Sequence, residues 1–154
     1  MSDGQKRVFL VACVSRKKTT PAPARDLYQS PWFLKAKSYV EAQGVPWFIL
    51  SAKHGLVEPD TELEPYNQTL STAGVEVRRQ WTAGVLEDLK TRLDGPHTIF
   101  FLAGRKYRQF LQESLLAMGH DVQVPMNSMG IGHQLAWLTK EVELAEQNKS
   151  TDHH

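Results

Sequence analysis

Cys13 is the only cysteine in the chain, which excludes an intrachain disulfide and a cysteine-rich zinc site and fits a reducing compartment. Excess charge of either sign is also missing. With 18 Lys and Arg against 17 Asp and Glu, the net charge is +1, so any attraction to a polyanion must come from a local patch. No apolar run is long enough to cross a membrane. The opening KRVFLVACV has a charged start, but it meets SRKK at once and has no small-residue cleavage region. A cytoplasmic protein without membrane association is therefore expected. Internal repeats, heptad arrays and low-complexity tracts are absent as well.

What remains is ordinary globular material, 41% hydrophobic and 23% charged over 154 residues. A single α/β domain over residues 1–150 is expected, with 151–154 as a tail. Four short apolar runs, Val8 to Cys13, Pro46 to Ser51, HTIFFLAG and HDVQVP, alternate with four helical patterns. Ser30 followed by Pro31 has the form of an N-cap and first-turn proline, and Trp32, Phe33, Ala36, Tyr39 and Val40 follow at helical spacing. Val77, Trp81, Val85, Leu89 and Leu93 mark the inward face of a second helix. Tyr107, Phe110, Leu111 and Met118 mark that of a third, and Leu135, Leu138, Val142 and Ala145 that of a fourth. The alternation predicts a three-layer α/β/α architecture around a small, mostly parallel four-stranded sheet.

In such a sheet ligands bind outside the carboxyl ends of the strands, and right-handed crossovers bring those ends to one edge. Ser15, Arg16, Lys17 and Lys18 follow the first strand, with Arg25 further on. Ser51, Lys53, His54 and Gly55 follow the second, and Gly104, Arg105, Lys106, Tyr107 and Arg108 the third. A nearly neutral chain thus gathers cations where substrates sit, which points to a phosphate-bearing ligand. GIGHQ, before the last helix, lacks the third glycine of a dinucleotide fingerprint; it is a tight turn whose amides can hold an anion or a base edge. The histidines at 54, 97, 120 and 133 have no zinc-ligand spacing, so neither a metal nor another cofactor is expected. Cys13, closing an apolar strand, is taken as a small core residue.

CVSRKK, ARDLYQSPWF, ILSAKHGLVEPDTELEPYNQTL, FLAGRKYRQFL and GIGHQLAWL together resemble a bacterial and phage family of uncharacterised domains. That family is similar in turn to the YaaA-like peroxide-stress proteins, over about residues 7–140. A looser similarity runs to the uracil-DNA-glycosylase-like fold and to the related domain of archaeosine-forming enzymes, with their Cys-x-x-Lys-type loop. The resemblance implies a role in nucleobase or nucleic-acid metabolism, with cleavage of an N-glycosidic bond as the leading activity. Two departures matter. The chain has Cys13-Val14-Ser15 where a serine should follow the cysteine directly, and the Gly-Gln-Asp-Pro-Tyr loop of uracil excision is missing, so uracil is a poor substrate.

Base release builds positive charge on the sugar and negative charge on the departing base, so it needs a carboxylate beside one and hydrogen-bond donors beside the other. Asp26 is the first choice for the carboxylate, with Asp60 and Glu64 second. His54 is assigned to the leaving base or a phosphate, and Ser15, Arg16, Lys17, Arg25, Ser51, Lys53, Gly55, Gly104, Arg105 and Tyr107 to the binding edge. Tyr28 and Tyr66 are expected to stack on a base drawn out of its strand. The expected partner is nucleic acid, DNA before RNA, or a nucleotide. The alternatives are a non-catalytic DNA- or nucleotide-binding module in stress response or phage defence, and a nucleoside or nucleotide hydrolase or deoxyribosyl transferase.

Overall fold

In the computed structural model, residues 6–12, 20–66, 69–70 and 72–152 are described, with side chains to residue 147. Along the chain the elements are β1 (Lys6–Ala12), β2 (Ala22–Pro23), α1 (Ala24–Leu27), α2 (Pro31–Ala42), β3 (Trp47–Ser51), β4 (Gly55–Val57), β5 (Glu62–Leu63), α3 (Val75–Arg92), β6 (His97–Leu102), α4 (Arg105–Ala117), β7 (Asp121–Gln123) and α5 (Ile131–Asp152). The main sheet has the order β4-β3-β1-β6-β7. β3, β1, β6 and β7 run parallel, while β4 turns back antiparallel on β3.

Residues Val8 to Ala12 of the central strand are all buried, as expected of a strand covered on both faces. Alternate side chains enter different layers. Phe9 and Val11 join Phe33 and Val40 of α2 and Leu138 of α5. Val8 and Leu10 join Val85 and Leu89 of α3 and Leu111 and Leu115 of α4. Each such side chain, fully enclosed, contributes roughly 1.5–3 kcal/mol by leaving water. Helix α2 starts where its sequence signal lies, with the Phe33 amide donating to Ser30 Oγ at 3.1 Å and Pro31 in the first turn.

Three expectations are corrected. The sheet has five strands, because Gly55, Leu56 and Val57 fold back onto β3 with Ser51 opposite Gly55. On α3, Val77 is 53% exposed, and Arg78, 5% exposed, takes the inward place one position on. Its guanidinium donates to Gln109 Oε1 at 2.9 Å and lies over the Phe110 ring, so the long side chain packs against α4. On α4 the buried residues are Leu111 and Leu115, while Met118 is exposed.

The two long connections hold each other. β2 and β5 pair antiparallel, the Ala24 amide donates to Thr61 O at 2.7 Å, and the Arg25 amide donates to Pro59 O at 2.9 Å. Both edge strands of the main sheet, β4 and β7, are only three residues long. From β1 the chain crosses to β3 on one side and later returns to β6 on the other, so the segments after β1 and β6 diverge and leave a crevice at their carboxyl ends.

Candidate functional site

A cavity of about 540 Å³ opens at that crevice, within the range of roughly 300–1,000 Å³ typical of small-molecule sites. Ala12 ends β1 at its floor, and the first turns of three helices surround it: Pro31 and Trp32 of α2, Arg105 to Tyr107 of α4, and Ile131, Gln134 and Leu135 of α5. The wall is mainly apolar, with cations at α4. Gln134 fixes the junction: it accepts from Trp32 Nε1 at 2.8 Å and donates from Nε2 to Met129 O at 2.8 Å. On its other side lies a smaller cavity of about 210 Å³, bounded by Gly104, Arg105, Arg108, Met126, Asn127, Ser128 and Met129. Gly104, Arg105 and Gln134 are common to both. Among the described residues no Asp or Glu lines either cavity.

The segment Ser51 to Gly55 is a hairpin turn built around a buried hydroxyl. Ser51 Oγ bonds the Tyr66 hydroxyl at 2.7 Å and accepts the His54 amide at 3.0 Å. Tyr66 in turn bonds the Tyr28 hydroxyl at 2.7 Å. Gly55 closes the turn at φ +73°, a left-handed backbone that favours glycine. Trp81 Nε1 donates to Ser51 O at 2.8 Å, and the Trp81 ring meets Tyr107 edge-on at 5.7 Å, which ties the hairpin to the cavity wall. His54 is exposed and sets its ring edge-on against Tyr66 at 5.4 Å. Desolvation, and secondly the Lys53 charge, hold its pKa below the usual imidazole value, so the neutral ring prevails at pH 7.

The expected residues divide accordingly. Gly104, Arg105 and Tyr107 line the cavity. Ser51, His54, Gly55, Tyr28 and Tyr66 form one connected cluster behind it. Tyr28 is fully buried with its ring against Phe33, and Tyr66 is buried too, so these rings are braced in the core and offer no open face for a base. Lys53 is exposed beside His54. Asp26 lines neither cavity; its carboxylate faces Lys37 Nζ at 3.5 Å on α2. Arg25 of α1 pairs with Asp60 of the connection between β4 and β5, an ion pair that accounts for both, and Glu64 is exposed just after β5. Ser15, Arg16, Lys17, Lys18 and Cys13 lie outside the described residues.

GIGHQ, expected as a tight turn before the last helix, instead forms its first turn from Ile131 to Gln134, and the sequence does not mark Trp32, Gln134 or Leu135 as cavity residues. All three look like helix-face residues until α2 and α5 are brought together. Among the described residues no group of three or more His, Cys, Asp or Glu side chains is placed to hold a metal ion, and no helix is long and apolar enough to cross a membrane.

Comparison with known proteins gives a family and a relative. The profile of a family described as "Family of unknown function (DUF6884)" matches residues 8–140. The chain is also 29% identical over 152 residues to "Uncharacterized protein YfjM" of Bacillus subtilis (strain 168), spanning 90% of this chain and 96% of that protein.

Proposed function

Since the chain belongs to the Family of unknown function (DUF6884), whose description carries no activity, we propose from the geometry that this is a nucleotide-binding domain. The carrying observation is the cavity at the crevice between β1 and β6, with an apolar wall for a base and Arg105 and Lys106 at its α4 side for a phosphate. Trp32, Tyr107, Ile131 and Leu135 supply the apolar surface. A cytoplasmic setting and kinship with the YaaA-like and uracil-DNA-glycosylase-like proteins belong to the same proposal.

The test is titration of the protein with nucleosides and nucleotides, followed by tryptophan fluorescence and calorimetry. Ile131 lines the cavity and is 64% exposed, so Ile131→Glu leaves the core intact while placing a negative charge at the mouth. It is expected to weaken nucleotide binding by about tenfold, or about 1.4 kcal/mol. Unchanged affinity in this variant, or no binding by any nucleotide, refutes the reading.

A second reading, cleavage of the N-glycosidic bond to a modified base in DNA, is favoured by His54, whose ring is held neutral and whose hairpin is joined to the cavity wall through Trp81 and Tyr107. It depends on His54 instead of Asp26, whose carboxylate is engaged by Lys37. Incubation with DNA should then yield alkali-labile abasic sites, lost in His54→Gln and kept in Asp26→Asn. DNA binding without abasic sites would leave the non-catalytic alternative, and its salt dependence would count the phosphates engaged.

A further inference from the structure

The smaller cavity carries an unbalanced charge. Arg105 and Arg108, one turn apart on α4, both line it, and neither forms an ion pair with a carboxylate among the described residues. Arg108 is held by neutral acceptors only. Its Nε donates to Ala103 O at 3.2 Å, Nη1 to Gln112 Oε1 at 3.3 Å and Nη2 to Asn127 Oδ1 at 3.4 Å. These bonds fix the guanidinium in place and leave its charge uncompensated. Its pKa is lowered, first by desolvation and then by Arg105, so the protein holds two like charges together at a cost that a bound anion would offset. The opposite wall supplies Asn127 and Ser128, the latter a non-glycine residue at φ +68°. Such conformations cost of order 1–3 kcal/mol and cluster at ligand sites.

We propose that this cavity is a binding site for a phosphate monoester, the terminal phosphate of a nucleotide whose ring occupies the adjoining apolar cavity. The placement of the ring rests on the function proposed above; the oxyanion site does not. Charge selects the monoester. A monoester carries about −1.5 to −2 at pH 7, matching two arginines, whereas each internal phosphate of a nucleic acid carries one negative charge. About 210 Å³ holds one oxyanion and a few waters at about 30 Å³ each. Gly104, Arg105 and Gln134, common to both cavities, put the phosphate next to the ring site.

The experiment is calorimetric and thermal-shift titration with inorganic phosphate, nucleosides, nucleoside 5′-monophosphates, and an oligonucleotide lacking terminal phosphates. Ionic strength is matched with chloride throughout. Wild type is expected to bind inorganic phosphate, and to bind nucleoside monophosphates more tightly above their second pKa of about 6 than below it. Arg105→Gln, on an exposed residue, and Arg108→Gln should each weaken phosphate and monophosphate binding by about tenfold, and Arg108→Gln, outside the ring cavity, should leave nucleoside affinity unchanged. The proposal is overturned if phosphate stabilises no more than chloride, if Arg105→Gln binds phosphate as wild type does, or if the oligonucleotide matches the monophosphates. Nucleoside binding with no gain from phosphate would sink this site and spare the ring cavity. Arginine-dependent phosphate binding with nucleotides indifferent to Ile131→Glu would do the reverse.

Discussion

Ser51→Ala removes one oxygen from the centre of the hairpin turn, and its cost can be worked from the contacts. Ser51 is completely buried, and its Oγ serves the Tyr66 hydroxyl at 2.7 Å and the His54 amide at 3.0 Å. Tyr66 retains Tyr28, so it loses one bond of two in this chain of hydroxyls. A net hydrogen bond is worth about 1 kcal/mol, and a buried partner left short costs about 1–3 kcal/mol. His54 is exposed, so its amide can recover water and lose less. The sum is about 2 kcal/mol, which lowers Tm by about 4–8 °C for a domain of this size. Calorimetry on Ser51→Ala, Tyr66→Phe and the double variant tests it. A double-mutant cycle should give a coupling energy of about 1 kcal/mol. A Tm within about 1 °C of wild type for Ser51→Ala, or additive single effects, refutes the hydroxyl chain as a source of stability.

Gly55→Ala should cost about 1–2 kcal/mol in urea denaturation. The backbone at φ +73° is the cause, since the added methyl would meet Val85 Cγ2 only at 3.5 Å. His120 Nδ1 accepts the His97 amide at 3.0 Å, and desolvation, then His97, lowers the His120 pKa. A lowered imidazole pKa means stability that is full above the ordinary value of about 6.5 and is lost as pH falls through the folded-state pKa. His54, lowered in the same direction, adds to the slope. Urea midpoints should therefore fall from pH 7.5 to pH 5, and His120→Ala should flatten the profile; an unchanged slope in that variant would contradict the assignment.

The parallel sheet is legible because β1 and its neighbours are buried on both faces and so spell continuous apolar runs. Helix α2 is legible because Ser30 and Pro31 act within one turn of chain. Legibility fails where partners are distant in sequence. Three residues, Gly55 to Val57, are too few to announce a strand, and β4 exists only because β3 offers its edge. Arg78 displaces Val77 from the interior through Gln109 and Phe110, some thirty residues on, whereas counting apolar residues assigns every arginine to water. Arg105 and Tyr107 are found at the cavity because the strand-to-helix rule places them there. Trp32 and Gln134, 102 positions apart, share a hydrogen bond that no spacing encodes. Asp26 lies away from both cavities for a reason its own segment does not spell: Lys37, eleven residues ahead on the next helix, faces its carboxylate.

The brevity of β4 and β7 bears on how the protein behaves at high concentration. A sheet margin only three residues long presents few unmet backbone donors and acceptors to a passing molecule, and Asp121 places a carboxylate on one of them. Strand-by-strand growth into larger aggregates finds little purchase on either flank.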